Sequence, residues 1–177
     1  MIEAFNFRDR GLVIDETGPM ITEAQIDQAI PEEFPGKDAF VAFQVLQNGV
    51  HFLRGAVFYR ELFHEVSEGD YNRLEVEYLY FVPRFPDDDH DYLVSIVQMR
   101  ENLARRRSDL RAFVATHLPV ACDASGNAFW IELSTGRVKY VALEDFESER
   151  DVVDAAPTFR DFVANIQPRV VGSSISR

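Results

Sequence analysis

The sequence predicts an α+β fold in one domain, and two observations carry this prediction. Helix-like and strand-like segments fall in separate blocks along the 177 residues: helices first, then strands, a long helix, a hairpin and a closing helix. The strand-like segments of residues 120–141 are separated only by short polar turns, which predicts an antiparallel meander. A chain of this length is long enough to bury a hydrophobic core.

A strand and a helix are predicted in the first thirty residues. Residues 2–13 mix apolar and charged side chains, which predicts an extra strand, and residues 15–19 should break it at their Gly-Pro step. Thr22 stands three residues before Gln25, which is the spacing of a capping box, so a short helix should begin there. Pro31 ends that helix because proline lacks the amide hydrogen.

A second helix and two strands are predicted next. Residues 38–46 carry an apolar stripe at helical spacing, and Asn48-Gly49 should close this helix with a residue that tolerates a left-handed backbone. The aromatic residues 52–63 predict a strand with a connecting turn. Residues 74–82 alternate and then become fully apolar, as in a strand that enters the middle of a sheet. The predicted stripe consists of Phe40, Val41, Phe43, Val45 and Leu46.

An acidic loop and a long helix should follow. Pro83 and Pro86 precede a run of acids at residues 87–89, which predicts an exposed loop. Negative charge just ahead of a helix is favoured by the helix dipole, so we expect a helix over residues 91–106. Its apolar positions at helical spacing are Leu93, Ile96, Val97 and Leu103.

The meander and a closing helix complete the predicted domain. Residues 120–122, 128–133 and 137–141 are the predicted strands, and the polar residues 123–127 supply the hydrogen bonds and flexible backbone of a tight reversal. Thr158 has the position of a capping residue for the closing helix. The residues of that helix expected to face the core are Phe159, Phe162, Val163 and Ile166.

The same stretch resembles a known family. The signature of the SUKH superfamily (SMI/KNR-type) is similar to LPVACDASGNAFWIEL followed by GRVKYV, where a Leu-Pro, a short apolar strand, an Asp and a Gly-Asn turn precede a hairpin. The opening of that family is similar to ITEAQIDQAIPEEFPGKDAFVAFQVLQNGV, and its closing helix to TFRDFVANI. The three segments occur in the family's order, and the region of resemblance extends from residue 21 to residue 166.

The resemblance implies a fold and a function. The implied fold is a twisted, mostly antiparallel sheet with helices packed around it. Members of the superfamily are often immunity proteins that neutralise a toxin of a polymorphic or contact-dependent system, and others are related to a fungal cell-wall synthesis regulator. We therefore divide the chain into an N-terminal extension at residues 1–20, a SUKH-like domain at residues 21–168 and a flexible tail at residues 169–177. The extension and the aromatic residues 52–71 depart from the simplest members.

Composition excludes several classes of function. The formal net charge of −12 argues against binding to a nucleic-acid backbone, which attracts clustered Lys and Arg. No apolar run is long enough to cross a bilayer, and the first ten residues lack the pattern of a secretory signal. The single Cys122 excludes an internal disulfide and fits a reducing compartment. We expect a soluble, cytoplasmic protein that associates with neither membranes nor nucleic acid.

No set of residues predicts catalysis, a metal or a cofactor. The acids and the imidazole of residues 87–91 have the chemistry of metal ligands, but consecutive residues cannot all converge on one ion. Cys122, His117 and Asp123 have the chemistry of a nucleophile, a base and an orienting group. In a strand, however, Cys122 should be a small buried hydrophobe. We expect a non-catalytic protein without cofactors.

The acidic residues 144–154 are the candidate partner-binding site. They should form an exposed loop between the hairpin and the closing helix, either as a solvated connection or as a partner surface. An apolar residue ringed by charge is typical of a binding hot spot, which makes Phe146 the candidate centre. The candidate contact residues are Glu144, Asp145, Phe146, Glu147, Glu149 and Asp151.

Three hypotheses for function follow. The first is an immunity protein that neutralises a basic toxin, such as a nuclease, because an acidic domain complements such a partner. The second is an intracellular regulatory interaction module related to cell-wall synthesis regulators. The third is an uncharacterised hydrolase. A toxin gene directly upstream would favour the first hypothesis over the second, and activity against generic substrates would favour the third.

Overall fold

The computed structural model describes residues 5–143, 146 and 151–169 of the chain, in an α+β arrangement. The helices and strands within these residues, in chain order, are β1 (Ile14–Thr17), α1 (Glu23–Ala29), α2 (Lys37–Gln47), β2 (Val50–Tyr59), β3 (Arg73–Leu79), α3 (Ile96–Arg106), α4 (Arg111–Thr116), β4 (His117–Cys122), β5 (Ala128–Glu132), β6 (Val138–Val141), β7 (Val152–Ala156), α5 (Phe159–Ala164) and β8 (Gln167–Pro168).

One sheet contains all eight of these strands. Seven follow the order of the sequence, from β1 to β7, and β8 pairs with β2. Every pairing between these strands is antiparallel. Short turns join β4 to β5 and β5 to β6, whereas helices separate β1 from β2 and β3 from β4, yet strands consecutive in sequence still pair, as they usually do. The α+β prediction is thus confirmed.

The predicted meander is confirmed in detail. Ala121 pairs with Phe129, and Phe129 pairs in turn with Tyr140, so β4, β5 and β6 are adjacent antiparallel strands. In the turn between β4 and β5, one carboxylate oxygen of Asp123 accepts hydrogen bonds from the backbone amides of Ser125 (2.8 Å) and Asn127 (3.0 Å). The polar turn residues therefore have the structural role that their sequence predicts.

Side chains of β5 alternate between two hydrophobic clusters. Phe129 and Ile131 belong to the large core, which also contains residues of α1, α2 and α5. Ala128 and Trp130 point to the other side of the strand, as alternate residues do. There they belong to a smaller cluster with α4. This second cluster consists of Leu110, Phe113, Val114, Ala128, Trp130, Val141 and Phe146.

The sheet curls until its two halves approach each other. Arg60 follows β2 directly, and its Nε donates a hydrogen bond of 2.7 Å to the backbone oxygen of Asp154 in β7. Inside the curl, the ring of Phe162 from α5 lies 5.2 Å from that of Phe58 and 4.7 Å from that of Phe129, between ring centroids. The face of helix α5 that carries Phe162 is therefore packed against the sheet.

Both predicted capping residues are confirmed. The Thr22 side chain accepts a hydrogen bond from the amide of Gln25, whose own side chain accepts one from the Thr22 amide, so α1 begins with a complete capping box. The Thr158 side chain likewise accepts from the amide of Asp161 at the start of α5. These bonds satisfy amides that have no partner within the helix.

The N-terminal extension differs from its prediction. Where a strand was expected at residues 2–13, the described part includes a 3-10 turn at Arg8–Arg10, and the strand begins at Ile14. The expected break at residues 15–19 falls partly within β1, because pairing with β2 overrides the local turn signal. Phe7 packs edge-on against Phe52, with ring centroids 5.1 Å apart, so the extension joins the main core.

Three other expectations are corrected. The helix expected at residues 91–106 begins at Ile96, because Ser95 caps it by accepting from the Gln98 amide. In α2, Val45 and Leu46 are exposed and do not belong to the buried stripe. The region expected to be an exposed loop at residues 144–154 includes the first residues of β7, since that strand pairs with β6.

Candidate functional site

A hydrogen-bonded loop leaves the sheet after β3, and we call residues 82–95 the aromatic loop. Its two ends are joined through Phe81, whose amide donates to the backbone oxygen of Val94 (3.0 Å) and whose oxygen accepts from the amide of Ile96 (3.0 Å). A loop of this length whose ends lie together is an Ω-loop, a compact surface element that is frequently functional. The backbone between these ends determines which side chains the loop exposes to solvent.

An ion pair inside the loop holds its first turn. Asp88 is only 4% exposed, and its two carboxylate oxygens accept from Arg84 through the backbone amide (2.8 Å), Nε (2.9 Å) and Nη2 (2.8 Å). The hydrogen bonds from Arg84 lower the pKa of the Asp88 carboxyl below its ordinary value, although burial opposes them. A guanidinium that donates to both oxygens of a carboxylate fixes the relative orientation of the two side chains.

Two aromatic side chains are presented by this loop. Phe85 is 54% exposed and Tyr92 is 64% exposed. The Arg84 guanidinium lies 5.4 Å from the centroid of the Phe85 ring, and the Tyr92 amide donates to Nδ1 of His90 (3.2 Å). The Phe85 ring thus lies beside a guanidinium that Asp88 holds in place, and the Tyr92 backbone is bonded to His90, while both rings face solvent.

Exposed acidic residues lie between these two aromatic residues in the loop. Asp87, Asp89 and Asp91 are exposed on the same loop, in contrast to the buried Asp88. The expectation of a wholly solvated acidic loop is therefore wrong for one of its acids, which has an internal arginine as partner. Within the residues described, no group of three or more His, Cys, Asp or Glu side chains is arranged to hold a metal ion.

Asn48 ties the aromatic loop to the segment before α1. Its side-chain nitrogen donates to the backbone oxygens of Pro19 (2.7 Å) and Val82 (3.1 Å), and its side-chain oxygen accepts from the Val82 amide (2.8 Å). The side chain is buried, and its left-handed φ of 43° ends α2 as predicted. Met20, the residue after Pro19, is almost fully exposed.

A groove runs between α1, α3 and the aromatic loop. It has a volume of about 450 Å³, and Phe85 forms part of its wall. A smaller groove of about 240 Å³ shares Ala29, Val97 and Glu101 with it, so the two form one continuous depression. Volumes of this size are typical of pockets that receive a ligand or a partner's side chains.

The acidic segment predicted from the sequence is only partly described. Glu144, Asp145, Glu147 and Glu149 lie outside the described residues. Asp151 is half-buried just before β7.

Phe146 is 8% exposed and packs in the small cluster, with its ring centroid 5.8 Å from that of Phe113. The expectation that Phe146 is an exposed anchor is therefore wrong, because the sheet offers this ring an apolar site. Whether the acids bind a partner stays a prediction.

Cys122 and its neighbours do not form a nucleophilic site. Burial raises the pKa of the Cys122 thiol to about 12, far from the range of a reactive thiolate. The carboxylate of Asp123 binds the turn amides. His117 stacks on Phe113 with ring centroids 3.8 Å apart, and its Nδ1 lies 2.9 Å from the backbone oxygen of Phe113. Each of these groups has a packing or turn role.

Comparison with protein-family models, with curated proteins and with solved structures gives no match to this chain. None of the helices in the described ranges has the length and apolar character needed to traverse a bilayer. The candidate site is therefore defined by its own geometry.

The aromatic loop carried a signal that sequence reasoning missed. Arg84 and Asp88 stand four residues apart, and an aromatic residue lies at each end of the charged run, at Phe85 and Tyr92. Reading the acids alone suggested a solvated loop, whereas the arginine within reach indicates an internal pair.

Proposed function

We propose that this chain is a non-catalytic protein-binding domain of the immunity type, which neutralises a basic toxin domain by covering it with the aromatic loop. The observation that carries this proposal is the exposure of Phe85 and Tyr92 on a loop held by the Arg84–Asp88 pair. Large aromatic side chains that remain exposed in a free protein are typical of interaction surfaces.

Rigidity makes the loop suited to tight binding. An aromatic ring has few rotatable bonds, and the ordered backbone around it loses little entropy when a partner arrives. The exposed acids around the rings would attract a basic partner over a distance, which speeds association more than it slows dissociation. The loop thus combines an apolar centre with a charged rim.

The class of partner follows from charge and from the resemblance. With a net charge of −12, the chain complements a positively charged surface. A nuclease toxin has such a surface because it must attract the phosphates of its substrate. The resemblance of three segments to the SUKH superfamily supports the same class of partner. By covering the basic surface, this chain would exclude the anionic substrate.

The test first inspects the neighbouring genes for a toxin domain, and then measures its association with this protein and its dissociation by stopped-flow. Phe85→Ala and Tyr92→Ala should each speed dissociation, at a cost of about 2 kcal/mol in binding. Leu53→Ala is the matched control, because Leu53 is 57% exposed but lies on β2, outside the loop. It should leave both rates unchanged.

Charge variants test the rim separately. Neutralising Asp89 and Asp91 to Asn should slow association at low salt and leave dissociation nearly unchanged. Neutralising Glu68 and Asp70, exposed acids of another loop, serves as the matched control.

Failure of both aromatic variants to change binding would exclude the aromatic loop as the contact surface. Absence of any protection against the toxin in co-expression would leave the regulatory interaction module as the better hypothesis.

A further inference from the structure

We infer that the groove between α1 and α3 receives an extended basic segment of the partner, with an arginine or lysine side chain placed near Asp87 and Glu101. This inference rests on the proposed function and specifies its partner chemically. The aromatic loop would supply the apolar contact, and the groove beside it would select for positive charge.

The unpaired charges of the groove are negative. Asp87 and Glu101 line it and have no hydrogen bond or ion pair through their side chains within the part of the chain that the structure describes. The cation in the same wall, Arg84, is engaged by Asp88. In the adjoining smaller groove Arg100 forms an ion pair with Glu32 and donates from Nε to the backbone oxygen of Val114 (3.2 Å), so it too is engaged.

The walls of the groove strengthen the attraction for a cation. Apolar side chains of Ala29, Val97 and Phe85 form much of its surface, and low-dielectric walls concentrate the field of charges that line a cleft. Long basic side chains also have an apolar stem that packs on such walls while the charged end reaches a carboxylate. Uncharged amide groups complete the lining, from Gln25, Gln28 and Gln98.

Other occupants fit the groove less well. A second copy of this chain would bring its own net charge of −12 toward the unpaired carboxylates. An acidic peptide or a phosphate group would meet the same repulsion. A neutral apolar peptide would leave Asp87 and Glu101 desolvated without partners, which is costly. A basic segment is the occupant that satisfies both the walls and the carboxylates.

The experiment titrates the ¹⁵N-labelled protein with an acetylated and amidated Ala-Ala-Arg-Ala-Ala peptide. The matched peptide contains citrulline, which has the shape of arginine without its charge. Side-chain amide signals of Gln25, Gln28 and Gln98 should shift with the arginine peptide. The citrulline peptide should bind about fivefold more weakly, as the loss of one exposed ion pair predicts.

A variant locates the charge that matters. Glu101→Gln should lower the affinity for the arginine peptide by up to about fivefold and leave the affinity for the citrulline peptide unchanged. Glu68→Gln, at an exposed position outside the groove, should alter neither. Equal binding of the two peptides, shifts confined to another face, or no shift at the highest soluble concentration would each overturn the inference.

The outcome is separable from that of the proposed function. If the toxin binds through Phe85 but Glu101→Gln leaves its affinity unchanged, the groove inference fails and the proposed function stands. If the arginine peptide binds in the groove but no toxin is neutralised, the immunity function fails and the groove remains a site for basic segments.

Discussion

Replacing Asn48 by alanine should destabilise the protein and loosen the aromatic loop. Asn48 makes three side-chain hydrogen bonds, to Pro19 and to both backbone groups of Val82, and all three are lost in the variant. The Val82 amide is then left buried without this acceptor. Alanine must also adopt the left-handed φ of 43°, which residues with a Cβ other than Asn and Asp rarely do.

The magnitude follows from these two effects. Each hydrogen bond contributes about 1 kcal/mol, and the left-handed conformation costs alanine about 1 kcal/mol. We therefore expect Asn48→Ala to lower the free energy of unfolding by about 4 kcal/mol. For a domain of this size that corresponds to a fall of about 10 °C in Tm. Asn48→Gly loses the same hydrogen bonds without the backbone strain, so its loss should be about 3 kcal/mol.

Urea unfolding followed by circular dichroism measures both losses, and amide hydrogen exchange reports on the loop itself. The Val82 amide should exchange faster in both variants, together with other amides near the base of the loop. If Asn48→Gly kept the stability of the original protein, the hydrogen bonds would contribute nothing, and the reasoning would be refuted. Equal losses for Ala and Gly would refute only the contribution of the backbone conformation.

Three further outcomes are expected. Phe146→Ala should lower the free energy of unfolding by about 3 kcal/mol in urea titrations, because it leaves a cavity in the small cluster, and a loss below about 1 kcal/mol would contradict its burial. Cys122, with its thiol pKa raised by burial to about 12, should react with a thiol reagent at pH 8 only after unfolding, so rapid reaction of the native protein would be inconsistent with its position. Burial raises the pKa of the Asp154 carboxyl, but the hydrogen bond from Lys139 and the positive charges of Lys139 and Arg137 together outweigh burial, so the pKa is lowered. The resulting stabilisation is complete above the ordinary value of 3.8 and is lost as the pH falls through the lowered pKa. Asp154→Asn should therefore flatten the acid side of the curve of unfolding free energy against pH, and an unchanged slope would argue against the Lys139 contact.

The sequence predicted local structure correctly wherever that structure depends on residues close by in sequence. The capping residue Thr22, the left-handed Asn48 and the turn at residues 123–127 act over a few residues, and each lies where its sequence places it. Elements determined by distant partners were missed. β1 forms from residues that resemble a break because β2 offers it a pairing edge, and β7 forms within an acidic stretch because β6 does.

The candidate site was predicted less well for the same reason. An aromatic residue within a charged run has the same sequence pattern whether its ring is exposed to solvent or packs in an apolar cluster. Phe146 and Phe85 both fit that description, but only the sheet around them decides that the first is buried and the second is exposed. Exposure depends on tertiary packing, which spacing along a chain does not encode.

The packing of α5 inside the curl of the sheet has a consequence for synthesis of this protein. The ring of Phe162 packs against Phe58 and Phe129. Both of these residues leave the ribosome long before Phe162 does. Until α5 emerges, those two rings and the apolar interior around them are not covered and are prone to aggregation. The Arg60 contact with β7 forms equally late, across 94 positions of sequence. A nascent chain halted before α5 should therefore depend on a chaperone, whatever the stability of the finished molecule.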